Sequence, residues 1–394
     1  MSFGVYFHIP YCLQRCHYCD FATYEIDSIL EPSKYIELLK KEMKLRHTSI
    51  PFKSIDSIYF GGGTPSLLEP KYIVSLIREL ANLGFNFKPN IEITMEINPG
   101  TTFNANLEHY VMGGVNRYSV GAQSFSDEHL DNCGRKHKAS DTCQTLDLLS
   151  KNNLNFSLDI LFALPNQTLT ELTYDVDKAL SFKPKHISAY CLTVPGTHKM
   201  AANRPVDQVQ VDMFNLIENK LNNSNLKKYE ISNFSLPKYE STHNMIYWTD
   251  QPYWGIGLSA HSYFPCNNLR FWNPKSIGEY NSLISDTDDS LFELKNINKH
   301  LNKNNYEFLQ VHEVMTDFCH IHLRTLSGLH KEALRKRFAP KQNTLISHRL
   351  FDLEEQGLIN QSEEAWFLSK QGLLVSNLVF DRLYFSSSDL SAWG

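Results

Sequence analysis

Tyr11–Phe21 reads YCLQRCHYCDF and sets Cys12, Cys16 and Cys19 in a C-x3-C-x2-C pattern. Thiolates are soft ligands suited to iron–sulfur clusters, and three this close leave one iron of a four-iron cluster without a protein ligand. That open iron can chelate a small molecule. Zinc is the rival reading, with His8 or His17 needed as its fourth ligand. Gly61-Gly62-Gly63-Thr64-Pro65 is backbone that can come close to a ligand, and no G-K-[ST] follows to make it a phosphate loop. Glu96, in MEINPGT, is either a turn cap or a ligand-binding carboxylate. Asp159, in SLDILFALP, is a carboxylate inside an apolar strand, costly to bury without a bound hydroxyl or cation. Among 16 histidines, His243 lies in HNMIYW beside Asn244, Tyr247 and Trp248, and His261 lies in GLSAHSY. Histidine near aromatics is a candidate axial ligand for haem, although most such histidines are hydrogen-bonded core groups. His8, on the first strand, is a further candidate.

The elements that must position these groups alternate. Val5–Ile9, Ser57–Phe60, Ile91–Ile97, Arg117–Val120, Phe156–Leu161 and His186–Leu192 read as short strands. Ser33–His47, Tyr72–Leu83, Asn104–Met112, Ser140–Lys151 and Thr170–Ser181 carry helical periodicity between them. Such alternation predicts parallel βαβ units, in a partial (β/α) barrel or an open doubly wound sheet. Both architectures gather functional groups at the carboxyl ends of the strands, where the unusual residues fall. After about Pro195 the alternation stops. Val206–Asn222 predicts a helix, Tyr229–Phe234 and Tyr253–Tyr263 extended chain, and Asp286–Ser290 an acidic linker. A long helix is expected from Asn305 toward His330. Thr344–Gly357, Leu358–Leu368 and Ser369–Tyr384 then read as helix, two strands and helix, a winged-helix-like pattern. Its Asp352, Glu354, Glu355, Glu363 and Glu364 argue for packing rather than DNA binding.

The 394 residues carry 38 Lys and Arg against 43 Asp and Glu, a net charge of -5 that excludes nucleic-acid binding by bulk charge. No apolar run reaches the length of a membrane helix, and no secretion signal or transit peptide is expected at Met1. Eight cysteines, five of them scattered, make no disulfide framework and predict a reducing setting, the cytoplasm or else an organelle matrix, with the cytoplasm the expected one.

Taken in order, YFHIPYC, GGGTPS, INPGT, VNRYSVGAQSF, DILFALPNQT, HISAYCLTVPGT, HNMIYW, YWGIGLSAHSY and LSKQGLLVSNLVF span nearly the whole chain. Together with Tyr18 before the third cysteine, they resemble the radical S-adenosylmethionine (SAM) family of oxygen-independent coproporphyrinogen III dehydrogenases and their haem-chaperone relatives, HemN and HemW. The resemblance implies an α/β fold, a partial (β/α)6 radical SAM barrel with a mainly helical, winged-helix-like C-terminal domain. Its expected segments are 1–200 (barrel and cluster loop), 201–290 (barrel extension) and 291–394 (C-terminal domain). It implies a [4Fe-4S] cluster on Cys12, Cys16 and Cys19, with SAM on the open iron. One SAM would meet Tyr6, Gly62, Glu96 and His261. A second, described for the dehydrogenases, would meet Tyr18, Gly63, Thr64, Gln123, Arg135, Asp159 and Thr193. The dehydrogenases carry a further cysteine where this chain has Phe21, and an amino-terminal extension not expected here. Both differences, with HNMIYW, point to the HemW branch. There haem is cargo, His243 the first-choice ligand, and apo-haemoproteins of respiration the acceptors, without nucleic acid or a transmembrane segment and with peripheral membrane association left open. The alternative is oxidative decarboxylation of coproporphyrinogen III, so whether the chain is an enzyme stays open at this point.

Overall fold

The computed structural model describes residues 1–102, 104–285, 294, 297 and 300–392; the expected linker Asp286–Ser290 lies outside them. Six strands run parallel and neighbour one another in chain order: β1 (Gly4–Ile9), β2 (Ser54–Gly62), β3 (Asn86–Ile97), β4 (Arg117–Gln123), β5 (Phe156–Phe162) and β6 (His186–Cys191). Between them come α1 (Pro32–Arg46), α2 (Pro70–Asn82), α3 (Asn104–Met112), α4 (Asp127–Asn132), α5 (Ala139–Lys151) and α6 (Leu169–Ser181). Strand order without a reversal has no switch point, so the doubly wound alternative gives way to a partial barrel with its helices outside.

Strand alternation builds the interior. Along β1 to β5 one set of residues (Val5, Phe7, Ile58, Phe60, Ile93, Met95, Tyr118, Val120, Leu158, Ile160) is buried in the apolar core that the helices cover. The intervening set is polar: Tyr6 and His8, Tyr59, Glu92 and Glu96, Arg117 and Ser119, Ser157 and Asp159. Because side chains alternate faces with period two, every strand turns its polar set to the concave side. Burying that set is tolerable only with partners, and it finds them. Tyr59 OH donates to Glu96 at 2.9 Å, Ser157 Oγ to Ser119 at 3.1 Å, and Arg117 pairs with Glu92 at 3.8 Å.

Beyond β6, α7 (Asp207–Asn223) leads to β7 (Lys227–Lys228) and β8 (Asn233–Ser235), which extend that edge antiparallel. The extended run expected over Tyr229–Phe234 is instead broken by a bend at Ile231–Ser232. Glu230 causes this by accepting from Ser232 N at 2.9 Å and Asn233 Nδ2 at 2.6 Å, closing the chain on itself. After α8 (Thr242–Trp248), β9 (Tyr253–Ile256) pairs parallel to β1 on the opposite edge. Next come β10 (His261–Phe264), β11 (Leu269–Trp272) and β12 (Tyr306–Phe308), antiparallel. Between β9 and β10 the chain folds back at Gly257 (φ 102°), whose N–H donates to Glu42 at 2.9 Å. Glu42 is fully buried and also binds Arg46, Asn273 and the Tyr280 hydroxyl. This ionic knot fixes the loop that presents His261.

The long helix expected toward His330 is shorter. Tyr306–Phe308 is strand, and α9 (Val311–Leu323) starts where Gln310 N donates to Glu313 at 2.7 Å. It stops at Thr325, whose hydroxyl caps His322 O at 2.8 Å ahead of Gly328 (φ 70°). The expected helix at Ser369–Tyr384 is two, Lys370–Leu374 and Ser376–Arg382, meeting at the non-helical Val375. Three short strands (Leu329–His330, Ile359–Gln361, Ala365–Leu368) and the helices Lys331–Arg337 and Pro340–Glu355 complete a winged-helix-like unit. Its separate core is built on Phe318, Leu350 and Trp366. Arg270–Asp317 and Arg337–Asp250 ion pairs tie it to the barrel extension. No helix of the described residues is long and apolar enough to cross a membrane.

Candidate cluster and ligand site

Two adjoining cavities open at the carboxyl ends of the barrel strands. The smaller, about 420 Å³, is lined by Cys12, Cys16 and Cys19, all free thiols. Six of the residues expected to meet one SAM (Tyr18, Gly63, Thr64, Gln123, Arg135 and Asp159) line this same cavity. The larger, about 720 Å³, is lined by the other set, Tyr6, Gly62, Glu96 and His261, together with His8 and His243. Gly62 and Glu96 line both and form the shared wall. Thr193 lines neither; it is exposed and its hydroxyl turns back to Cys191 O at 3.2 Å.

The cysteine loop is clamped from outside. His17 N–H donates to Cys133 O at 2.9 Å, and Gln14 Nε2 to Gly134 O at 3.1 Å. His198 accepts Met200 N at its Nδ1, so its Nε2 is the protonated nitrogen that donates to His17 O at 3.0 Å. Across the cavity the glycine turn zips onto the same loop. Gly63 N donates to Ile9 O at 2.8 Å and Thr64 N to Tyr11 O at 2.7 Å. Among the described residues no three His, Cys, Asp or Glu side chains close on a single metal ion. His8, one candidate fourth ligand for zinc, has both ring nitrogens engaged, with Tyr6 OH at 3.2 Å and Ala22 O at 2.9 Å.

Charge in the cavities is held back by burial. Desolvation pushes the Glu96 carboxyl up to about 7, opposed by its bond from Tyr59 and reinforced by Asp159. Desolvation likewise raises Asp159 to about 6 against a bond from Ser188. Arg135 bonds Asn98 through Nη1 at 2.9 Å and lies over the Tyr18 ring, yet its buried Nε has no partner. Two carboxyls reluctant to ionise and an unspent guanidinium nitrogen suit a zwitterionic ligand with a positive centre. A test follows from the sign of the shift. The folded chain without ligand keeps its Glu96 proton longer than the unfolded chain, so stability is lost as pH rises from 4.5 through about 7. Glu96→Gln is therefore expected to match the wild type at pH 4 and exceed its urea midpoint at pH 8. His8 and His243, lowered by burial to about 4 and about 3, slope the other way in both proteins and cancel in that comparison.

Residues 6–179 match the Radical SAM superfamily, and residues 309–375 match the HemN C-terminal domain. The chain is 31% identical over 391 residues to the "Heme chaperone HemW" of Bacillus subtilis, covering 96% of this chain and 98% of that relative. The chain belongs to the HemW family. A HemW from Buchnera aphidicola (subsp. Schizaphis graminum) is 32% identical over 380 residues, with 95% and 96% of the two chains covered. The solved coproporphyrinogen III oxidase HemN of Escherichia coli shares the fold, with TM-score 0.79 at 18% identity over 97% of this chain and 90% of that one.

Radical SAM membership implies a [4Fe-4S] cluster and SAM, and the smaller cavity of this chain fits them. Three free thiols share one pocket with Arg135, whose buried Nε has no partner, and Gly62, at φ 110°, brings bare backbone into its wall where a Cβ would meet the His8 ring at 2.5 Å. His243 fares differently from its expectation as haem ligand. It is 1% exposed, and both ring nitrogens are taken, Nδ1 by Ser57 Oγ at 2.7 Å and Nε2 by Tyr247 OH at 2.8 Å. Binding iron would break one of those bonds. Sequence reasoning also missed Tyr59 and the inward serines. Strict alternation in SIYFG and EITMEI, with one polar residue at every second place, was the available signal.

Proposed function

We propose that this chain is a radical SAM haem chaperone. It holds a four-iron cluster on Cys12, Cys16 and Cys19, takes SAM against the Gly62 and Glu96 wall that the two cavities share, and carries haem to apo-haemoproteins of respiration in the cytoplasm. A cluster on three thiolates supplies one open iron and electron transfer to the ligand held there. The chain's own part is positional. Gly62 N–H, donating to Glu96 at 3.1 Å, sets the wall against which that ligand lies, and Glu96 and Asp159 offer carboxylates to its positive groups. Gln123, held at φ 65°, and Arg135 close the far side.

The observation that carries the proposal is the second cavity, which no cysteine lines, beside the first. It lets cargo sit apart from the cluster thiols, and full-length likeness to proteins named heme chaperones supports the same reading. Phe21, where the resembling dehydrogenases have another cysteine, is 63% exposed and lines both cavities. The test is transfer. Loaded with haem and freed of excess, the reconstituted protein is expected to pass it to an apo-haemoprotein, moving the Soret band from donor to acceptor. Haem that stays with the chain would reject delivery.

A further inference from the structure

We infer that the HNMIYW helix works for SAM: His243 backs the Tyr59 ring, and Tyr59 turns the Glu96 carboxylate toward the ammonium of that ligand. This rests on the reading above that SAM lies against the Glu96 wall, and deepens it by naming what orients the carboxylate. Tyr59 and His243 are positioning residues in it.

Glu96 is held by two donors from one strand. Tyr59 OH donates to Oε1 at 2.9 Å and Gly62 N to Oε2 at 3.1 Å, both from β2. A carboxylate has about four acceptor sites, so each oxygen keeps capacity for a ligand while the group cannot swing without losing a bond. The Gly62 donor is backbone, set by the turn. The Tyr59 donor is only as well placed as its side chain.

That ring is fixed by its neighbours. Tyr59 stacks on His243 at 5.0 Å and 29°, and on its cross-strand neighbour Tyr6 at 6.1 Å and 24°. His243 is buried and bonded at both ring nitrogens, to Ser57 on β2 and to Tyr247 one helical turn on. Tyr247 packs edge-on against Tyr253 at 4.6 Å. The helix start is tied to β3, where Thr242 N and His243 N both donate to Glu92 at 3.0 Å. Glu92 and Glu96 lie four residues apart on that strand and so share its concave face. On β1, Gly4 leaves room for the helix, since a Cβ there would lie 3.3 Å from the His243 ring. A line of contacts thus runs from α8 through His243 and Tyr59 to Glu96, which faces both cavities. This use of His243 needs both ring nitrogens closed, whereas iron ligation needs one open.

The experiment is calorimetric titration of SAM into the iron-loaded full-length protein at pH 7 and pH 8.5, comparing wild type, Tyr59→Phe and His243→Ala. Tyr59→Phe keeps the stacked ring and removes only the donor. Its SAM affinity is expected to fall about tenfold at pH 7. The lost bond favours the ionised carboxyl, so Glu96 keeps its proton to higher pH in the variant and the deficit should narrow at pH 8.5. Tyr6, Tyr247, Asp159 and Arg135 also face Glu96 and are unchanged, and the α-amino group of SAM titrates alike in each protein. His243→Ala is expected to shift affinity in the same sense, by a smaller factor and with its iron retained. Wild-type affinity in Tyr59→Phe, or a deficit equal at both pH values, overturns the positioning role. Wild-type affinity in His243→Ala overturns the part played by the helix. No SAM binding by the iron-loaded wild type overturns the reading of the wall itself, and the inference with it.

Discussion

Replacing any one of Cys12, Cys16 or Cys19 by alanine is expected to take the iron of anaerobically reconstituted protein from about four per chain to near none. A cluster on three thiolates has no spare ligand among them, and no other cysteine lines the cavity. The loss is chemical rather than structural. The clamps on the loop are made by Gln14, His17 and His198 with Asn132, Cys133 and Gly134, and none uses a cluster thiol. The unloaded variants should therefore melt with the unloaded wild type. Cys191→Ala, at an exposed cysteine outside the cavity, should keep its iron. Iron and sulfide analysis reads the result, and stoichiometric zinc in the wild type would sink the cluster.

Gly62→Val is expected to abolish SAM binding, by more than about 100-fold, while iron loading persists. Two effects add. Gly62 sits at φ 110°, which a β-branched residue essentially never adopts, and a Cβ there would lie 2.5 Å from the His8 ring. The turn must move, and with it the N–H that holds Glu96. Gly63→Ala makes the contrast. Its Cβ would meet Tyr11 O at 2.5 Å and Ile9 O at 2.9 Å, the carbonyls that anchor the cysteine loop, so it should lose iron as well as SAM. Calorimetry on the iron-loaded Gly62→Val protein decides; unchanged SAM affinity would reject the role of this turn.

Local pattern made the barrel legible, and long-range hydrogen bonding made the histidines illegible. On α2, Ile73, Leu76, Ile77 and Leu80 recur at helical spacing, and all four are buried. The strands read as clearly because apolar and polar residues alternate through them. HNMIYW misled because its helix is only seven residues long, started by Ser241 Oγ accepting from Asn244 N at 3.3 Å. Once helical, His243 and Tyr247 stand four apart on one face, and the hydroxyl closes the imidazole that the motif offers as a string of letters. Its second nitrogen is closed by Ser57, 186 residues away, which no local pattern reports. The partition of the SAM-contacting residues into two cavities is equally non-local. It depends on the register that sets Ile9 beside Gly62 and His8 beside Gly61.

One anaerobic incubation decides whether this chain carries haem and leaves coproporphyrinogen unoxidised. Reconstituted protein, with its iron content verified, is mixed with reductant, SAM and coproporphyrinogen III, and the porphyrins are separated and identified. Coproporphyrinogen is expected to be recovered unchanged, with no protoporphyrinogen formed. Protoporphyrinogen accumulating beyond one equivalent per chain would contradict it and make the chain a dehydrogenase.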